Sequence, residues 1–470
     1  MNQMELPEGW LKVQIDEVAD IVAGGTPSAS DDSNFAVPGK GIAWLTPADL
    51  SGYKLKEIAN GKRDLSQKGY DSSSAKLMPK GSVLFSSRAP IGYVAIAANE
   101  ISTNQGFKSF VFRNIDSSYA YFYLRSIRDV AESLGTGTTF KELSGAATKK
   151  LPFVFPPLAE QKVIADKLDT LLAQVESIKT RLERIPEILK QFRQAVLAAA
   201  VTGKLTEEWR DINGLDESYK IVENIPFETP RAWSFHRLEQ ITSRVTYGLT
   251  KRPPYVSDGV AVISAKEIRT GFVNFEVASQ ISESDFDGLR EKCKIFPGDL
   301  LFSKTGSIGH VAIYNAEFQS ASSQNIAVIT PLLNLVMCQF LYYYLRSPFI
   351  QELAQSSVKA NAIPDLQLGI ISKFPIQLPL LVEQKVIVEK VESIFSTIDG
   401  IEQQAKSALD RVNNLTQSIL AKAFRGELTA DWREANPELI SGKNSAEALL
   451  ERIKAERSIK PVTKRDRGKA

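Results

Sequence analysis

Along two stretches of the chain apolar residues recur at alternating steps of three and four. The first series is Leu168, Leu171, Val175, Ile178, Leu182, Ile185, Leu189, Phe192 and Val196; the second is Val391, Ile394, Ile398, Ile401, Ala405, Ala408, Val412, Leu415 and Ile419. This is the seam of a coiled coil. A helix from Leu158 to Val201 would run roughly 65 Å at about 1.5 Å per residue and could not bury its stripe alone. The two helices are therefore expected to pair, antiparallel. Pro186 should kink or briefly break the first; Leu409 in the matching place leaves the second straighter. Gly203 and Gly426 stand where C-terminal caps belong.

Elsewhere the pattern changes. Short β-branched and aromatic runs, such as Val83–Phe85, Ser109–Phe112 and Val260–Ser264, are separated by Gly, Pro, Ser and Asn clusters, which reads as loop-rich, mixed α/β globules. Comparing the chain with itself shows why there are two of each element. LAEQKVIADKL at Leu158–Leu168 returns as LVEQKVIVEKV at Leu381–Val391, 223 positions on (381 less 158). With the same shift PEGW at Pro7–Trp10 falls on PRAW at Pro230–Trp233, and GKLTEEWR at Gly203–Arg210 on GELTADWR at Gly426–Arg433. The globules share only anchors: VLFSSRAPIGYVAI at Val83–Ile96 with LLFSKTGSIGHVAI at Leu300–Ile313, and YLRS at Tyr123–Ser126 with YLRS at Tyr344–Ser347. The fold class is thus two α/β (α+β) globular domains alternating with two long helices, a tandem repeat with expected pseudo-twofold symmetry. The segments are a globule (1–150), a helical spacer (151–210), a polar linker (211–229), a second globule (230–373), a second spacer (374–433), and a C-terminal helix with a basic tail (434–470). Asn444 is the expected cap of that last helix.

Composition narrows the function. Lys and Arg number 57 against 55 Asp and Glu, so no global positive field exists and any nucleic-acid contact must be local. Two cysteines, no signal-peptide pattern and no apolar run near the roughly 20 residues of a membrane span point to a soluble, cytoplasmic chain without membrane association. The two histidines, His236 and His310, lack ligand-spaced neighbours. No phosphate-binding loop, dinucleotide fingerprint or acidic-Pro-Pro-aromatic tetrapeptide occurs, so the chain is expected to be non-catalytic and to bind no metal. Glu283, Asp285 and Asp287 are close enough to hold Mg²⁺ in principle, but a polar loop explains them better.

Two variable globules, each led by P-x-x-W and followed by PPLAEQ or PLLVEQ, then a long helix closing on G-x-L-T-x-x-W-R, resemble the specificity subunits of type I restriction-modification enzymes. The resemblance covers nearly the whole chain. It implies that each globule is a target recognition domain reading one half of an asymmetric, bipartite site in double-stranded DNA, and that the paired helices set the gap. It also implies two docked methyltransferase subunits and, where a nuclease is present, two restriction or translocase subunits. S-adenosylmethionine, ATP and Mg²⁺ would belong to those partners. A repeat of this kind would put the half-sites about one helical turn, roughly 34 Å, apart. A coiled-coil adaptor between proteins, without DNA specificity, is the competing reading.

Candidate DNA contacts follow from residue type. Ser87 and Arg88, after Ser86, occupy a turn between apolar strands, matched by Lys304 and Thr305 after Ser303; one cation per turn suits a phosphate or a guanine edge, although a solvated hairpin tip would look the same. Gln105, beside Asn104, matches Gln324 between Ser323 and Asn325; an amide can read adenine or merely fix a strand end. GTGTTFK, with Thr138, Thr139 and Lys141, corresponds loosely to SSVKANA, with Lys359 and Asn361; small residues permit close backbone approach, or just a flexible loop. Tyr247, Lys251, Arg252, Lys266 and Arg269 cluster early in the second globule, as Lys54, Lys56, Lys62 and Arg63 do in the first; a solvated charged face is the plainer account. Trp209 with Arg210, and Trp432 with Arg433, are candidate subunit contacts, or pack against their own globule. Glu160, Gln161 and Lys162 read as a polar first helical turn.

Overall fold

A computed structural model describes residues 6–459 apart from Ala89, 138–140, Glu217 and 359–363. The chain divides into two units, one running to Leu182 and resuming at Ala408, the other Glu183–Ser407. Each unit holds a mixed α/β globule and half of each long helix.

In the first unit, β1 (Ala19–Ala23), β2 (Glu57–Ile58), β3 (Val83–Phe85), β4 (Val94–Ala97) and β5 (Lys108–Phe112) form a sheet in the order β1-β5-β3-β4-β2. All neighbours are antiparallel except β2 and β4. β3 is apolar at all three positions because both its faces are covered. Alternation then sends Val83 and Phe85 into one core and Leu84 into another. Helix α1 (Ser117–Ser126) starts at Asp116, whose carboxylate accepts the Tyr119 N–H at 2.8 Å. Its Tyr123 packs edge-on against Phe153 and against Phe424 at the end of the second long helix, with ring centres 4.9 and 5.0 Å away.

The second unit repeats the arrangement. β6 (Thr242–Tyr247), β7 (Leu300–Ser303), β8 (Val311–Ile313) and β9 (Ile326–Pro331) lie in the order β6-β9-β7-β8, all antiparallel. Leu300 and Phe302 enter one core and Leu301 the other, as their counterparts do. Helix α2 (Cys338–Leu345) takes the place of α1.

The long helices are Leu158–Val201 and Leu381–Phe424, 44 residues each. The first runs uninterrupted through Pro186, against the expected break. Pro186 lies on the exposed face, where water can satisfy the carbonyl its ring leaves without a donor. Pairing is antiparallel within each unit: Lys167 donates to the Leu428 carbonyl at 2.8 Å in the first, and Lys390 to that of Leu205 at 3.2 Å in the second. Arg193 bridges to Asp399 and Glu402 at 2.6 and 2.9 Å. The seam is buried in only one of its two rows. Leu168, Val175, Leu189 and Val196 are covered, as are Val391, Ile398, Ala405 and Val412, whereas Ile178, Phe192, Ile401 and Leu415 remain 42–50% exposed.

The repeated motifs meet at the first turn of each long helix. In the first unit Glu160 is fully buried. Its carboxylate accepts from Trp10 Nε1 at 2.8 Å and Thr429 Oγ1 at 2.7 Å, and pairs with Arg433, which also donates to the Gly426 carbonyl at 2.9 Å. In the second, Glu383 accepts from Trp233 at 2.9 Å, Thr206 at 2.7 Å and Arg210 at 2.7 Å, while Arg210 reaches the Gly203 carbonyl at 2.8 Å. Glu160 and Gln161 are therefore no solvated first turn, and Arg210 offers no exposed side chain to a partner. Gln161 and Gln384 pin the globule to the helix by accepting the backbone N–H of Asp116 and Met337 at 3.1 and 2.7 Å.

The helix-ending glycines complete this joint. Gly203 and Gly426 have φ of +78° and +76°, and a Cβ on either would come within 2.3 Å of Pro230 or Pro7. Both the cap and the packed proline exclude a side chain. At the far end of the chain, the helix Ala446–Ile459 buries Ala446, Leu449, Leu450 and Ile453 in the first unit's core. Its first turn is capped by Ser445, which accepts the Ala448 N–H at 3.2 Å, rather than by Asn444.

Removing one partner of a buried ion pair strands the other, so Glu383→Ala and Arg210→Ala should each cost about 3–5 kcal/mol in chemical denaturation. The double variant should cost clearly less than the sum; additive losses would show that the pair does not act as a unit.

Candidate nucleic-acid interface

Loops chosen from sequence come together in each unit because backbone hydrogen bonds lace them. In the first, the turn after β3 gives its Ser87 N–H to the Gly106 carbonyl at 2.7 Å and takes the Leu143 N–H on the Ser87 carbonyl at 2.8 Å. In the second, Lys304 N–H donates to the Asn325 carbonyl at 2.9 Å and the Lys304 carbonyl accepts from Leu366 at 2.8 Å. In the first unit the strand turn, the amide turn and the end of the small-residue loop thus share one edge of the globule; in the second the strand turn and the amide turn do, joined there by Pro364 to Leu366.

The side chains at this edge differ between units. Ser86 and Ser87 are buried, their hydroxyls spent on the Pro90 and Gly106 carbonyls at 2.8 and 3.2 Å, so Ser87 braces the turn and does not face outward. Arg88 is about half exposed and pairs with Glu142 at 3.0 Å. Gln105 is exposed, and its Oε1 accepts the Thr26 hydroxyl; Asn104 accepts the Gly106 N–H at 2.9 Å and fixes the strand end. Lys141 is exposed. Thr138, Thr139, Lys359 and Asn361 lie outside the described residues.

In the second unit Lys304 is mostly buried, 2.8 Å from Asp365, which also accepts from Thr305. Burial alone would raise the Asp365 carboxyl, but hydrogen bonds from Lys304 and Thr305 hold it below its ordinary value. Lys304 therefore sits neutralised beneath the surface instead of standing out as Arg88 does. The Tyr247 ring lies 5.8 Å from its ammonium and 5.7 Å from that of Lys292. Gln324, Lys251 and Arg252 are exposed.

Other candidates go elsewhere. Lys54 and Lys56 pair with Glu176 and Asp169 on the first long helix at 3.3 and 2.6 Å. Arg63 stacks on Phe35, its guanidinium 3.7 Å from the ring centre. Lys266 donates to the Val277 carbonyl at 3.0 Å, and Arg269 lines a cavity beside Gln194 of the first long helix. Trp209 and Trp432 are partly exposed. Ser282 caps a short helix by accepting the Asp285 N–H at 3.1 Å, and its hydroxyl donates to the Asp285 carboxylate at 2.7 Å. Among the described residues no cluster of three His, Cys, Asp or Glu could hold a metal, and no helix is long and apolar enough to cross a membrane.

Sequence reasoning missed Thr26 and Lys292. Gly24-Gly25-Thr26 and Gly248-Leu249-Thr250 follow matching strands, so extending the self-comparison past the longer anchors would have reached Thr26. Lys292 has no repeat counterpart to reveal it.

A family model for the type I restriction modification DNA specificity domain matches residues 7–187 and 253–411. The type I restriction enzyme EcoBI specificity subunit of Escherichia coli is 37% identical, covering 99% of this chain and 96% of its own length. The EcoKI specificity subunit of Escherichia coli strain K12 is 34% identical over the whole of both. The crystal structure of the HsdS subunit from Thermoanaerobacter tengcongensis shares the fold with a TM-score of 0.61 at 18% identity, covering 91% of this chain and 99% of that one.

If Arg88 meets a phosphate, Arg88→Ala should weaken DNA binding about equally for all sequences and lower the slope of log affinity against log salt by about one. An unchanged slope would remove Arg88 from the interface.

Proposed function

Because the chain belongs to the type I restriction-modification DNA specificity subunits, we propose that each of its globules reads one half of an asymmetric, bipartite site in double-stranded DNA through the edge where the strand turn and the amide turn meet. The observation that carries this reading is a shared framework bearing different side chains, exposed Arg88 and Gln105 in one unit and Tyr247, Gln324 and a sunken Lys304 in the other. Two readers of unlike half-sites require that combination. Arg88, Lys141, Lys251 and Arg252 are the phosphate contacts in this scheme, and Gln105 and Gln324 read base edges.

The chain itself is not a catalyst. Methylation, ATP-driven translocation and cleavage belong to partner subunits, which supply S-adenosylmethionine, ATP and Mg²⁺ chemistry in the cytoplasm. Two methyltransferase subunits dock on the helix pair, supported by its exposed apolar row at Ile178, Phe192, Ile401 and Leu415 and by part-exposed Trp209 and Trp432. Where a nuclease is present, two restriction subunits join them.

Genome-wide mapping of methylated adenine, in cells holding the methyltransferase with and without this chain, tests the reading. A two-part motif that disappears with the chain is expected; an unchanged pattern would favour the adaptor. Deleting one heptad from both helices should alter the length of the unspecified spacer and leave both half-sites as they were. Changed half-sites with constant spacing would sink the spacer role.

A further inference from the structure

The repeated Tyr-Leu-Arg-Ser anchor has no part in the loop edge. In each unit its arginine lies part-buried in a hollow where the globule meets the helix pair. The first hollow measures about 650 Å³ and the second about 200 Å³. They are the same place: Gly92, Val94, Arg125 and Gln417 line one, and Gly309, Val311, Arg346 and Gln194 the other. Gln417 and Gln194 are repeat equivalents, 223 positions apart (417 less 194).

Both arginines are held alike. Arg125 donates to the Tyr121 hydroxyl at 3.2 Å with its guanidinium 5.4 Å from that ring, and Arg346 donates to the Tyr342 hydroxyl, 4.9 Å from its ring. The surrounding cations are mostly answered. Lys54 and Lys56 pair with Glu176 and Asp169, and Arg128 with Glu132 at 2.9 Å. Arg125 and Arg346 form no ion pair among the described residues. In the second hollow Arg269 adds a further cation, and burial together with Arg269 pushes the His310 imidazole below its ordinary value, toward the neutral form.

A part-desolvated guanidinium, fixed by a ring and a hydroxyl, retains donors arranged for a carboxylate. We propose that Arg125 and Arg346 are two equivalent docking points, each receiving an acidic side chain of one methyltransferase subunit. The inference rests on the functional reading above. Its stoichiometry follows from the repeat, because a partner present twice meets each unit once. A DNA backbone fits less well. A run of phosphates would call for several open cations in a row, whereas Lys54, Lys56 and Arg128 around Arg125 are already paired and a single carboxylate needs the arginine alone.

The test uses the full chain with its methyltransferase subunit, counted by native mass spectrometry and titrated for affinity. Arg125→Glu and Arg346→Glu should each weaken one of two binding events about tenfold or more, and the double variant both. Thermal melts check folding. Arg125→Gln and Arg346→Gln, which keep a donor for the tyrosine hydroxyl, stand in if the glutamates unfold the chain. Loading of two methyltransferases with wild-type affinity by folded variants would overturn the proposal. So would intact loading with weakened, less salt-sensitive DNA binding, which would assign the arginines to phosphate. A wild-type chain that takes up no methyltransferase sinks the functional reading and this one with it.

Discussion

A carboxylate buried at the first turn of each long helix holds the molecule together. Glu160 and Glu383 each gather an indole, a threonine hydroxyl and a guanidinium from sequence segments far apart. A charge out of water must be answered in full, and here every answering group is tied to a structural element. The indole fixes the entry to the globule, the threonine and arginine fix the exit from the opposite long helix, and the adjacent glutamine fixes the strand-to-helix loop. The globule can change its loops freely as long as these few groups stay.

That division explains how two diverged globules present loops on the same edge. β3 and β7 alternate their side chains between the same two cores, so the turns that follow emerge in the same place. What they display is then open to variation. The first unit exposes its cation, Arg88, and pairs it at the surface; the second sinks Lys304 beside an ionised aspartate.

Much of this was legible in the sequence: the repeat, the helices with their pairing sense, and the class of the globules. Periodicity and internal comparison carry such information because they are local or self-referential. The misreadings were tertiary. Glu160 and Gln161 look like a polar first turn until Trp10 and Arg433 close over them, and nothing in spacing tells that Ser87 points inward while Arg88 points out. Pro186 was judged by its effect on an isolated helix, yet its exposed position lets solvent repair the missing hydrogen bond. The joint escaped notice because its members are 273 residues apart in sequence (433 less 160).

That separation has a bearing on synthesis. The second unit is one continuous run, Glu183–Ser407, whereas the first needs the last segments of the chain before Glu160 finds Arg433. At translation rates of about 5–20 residues per second, the interval between the two is roughly 14 to 55 s. Through that interval the first globule carries a carboxylate destined for burial and an apolar helix face with no partner helix yet made. The unit that begins first on the ribosome is the one that must finish last, and its growing chain is the natural client for a chaperone.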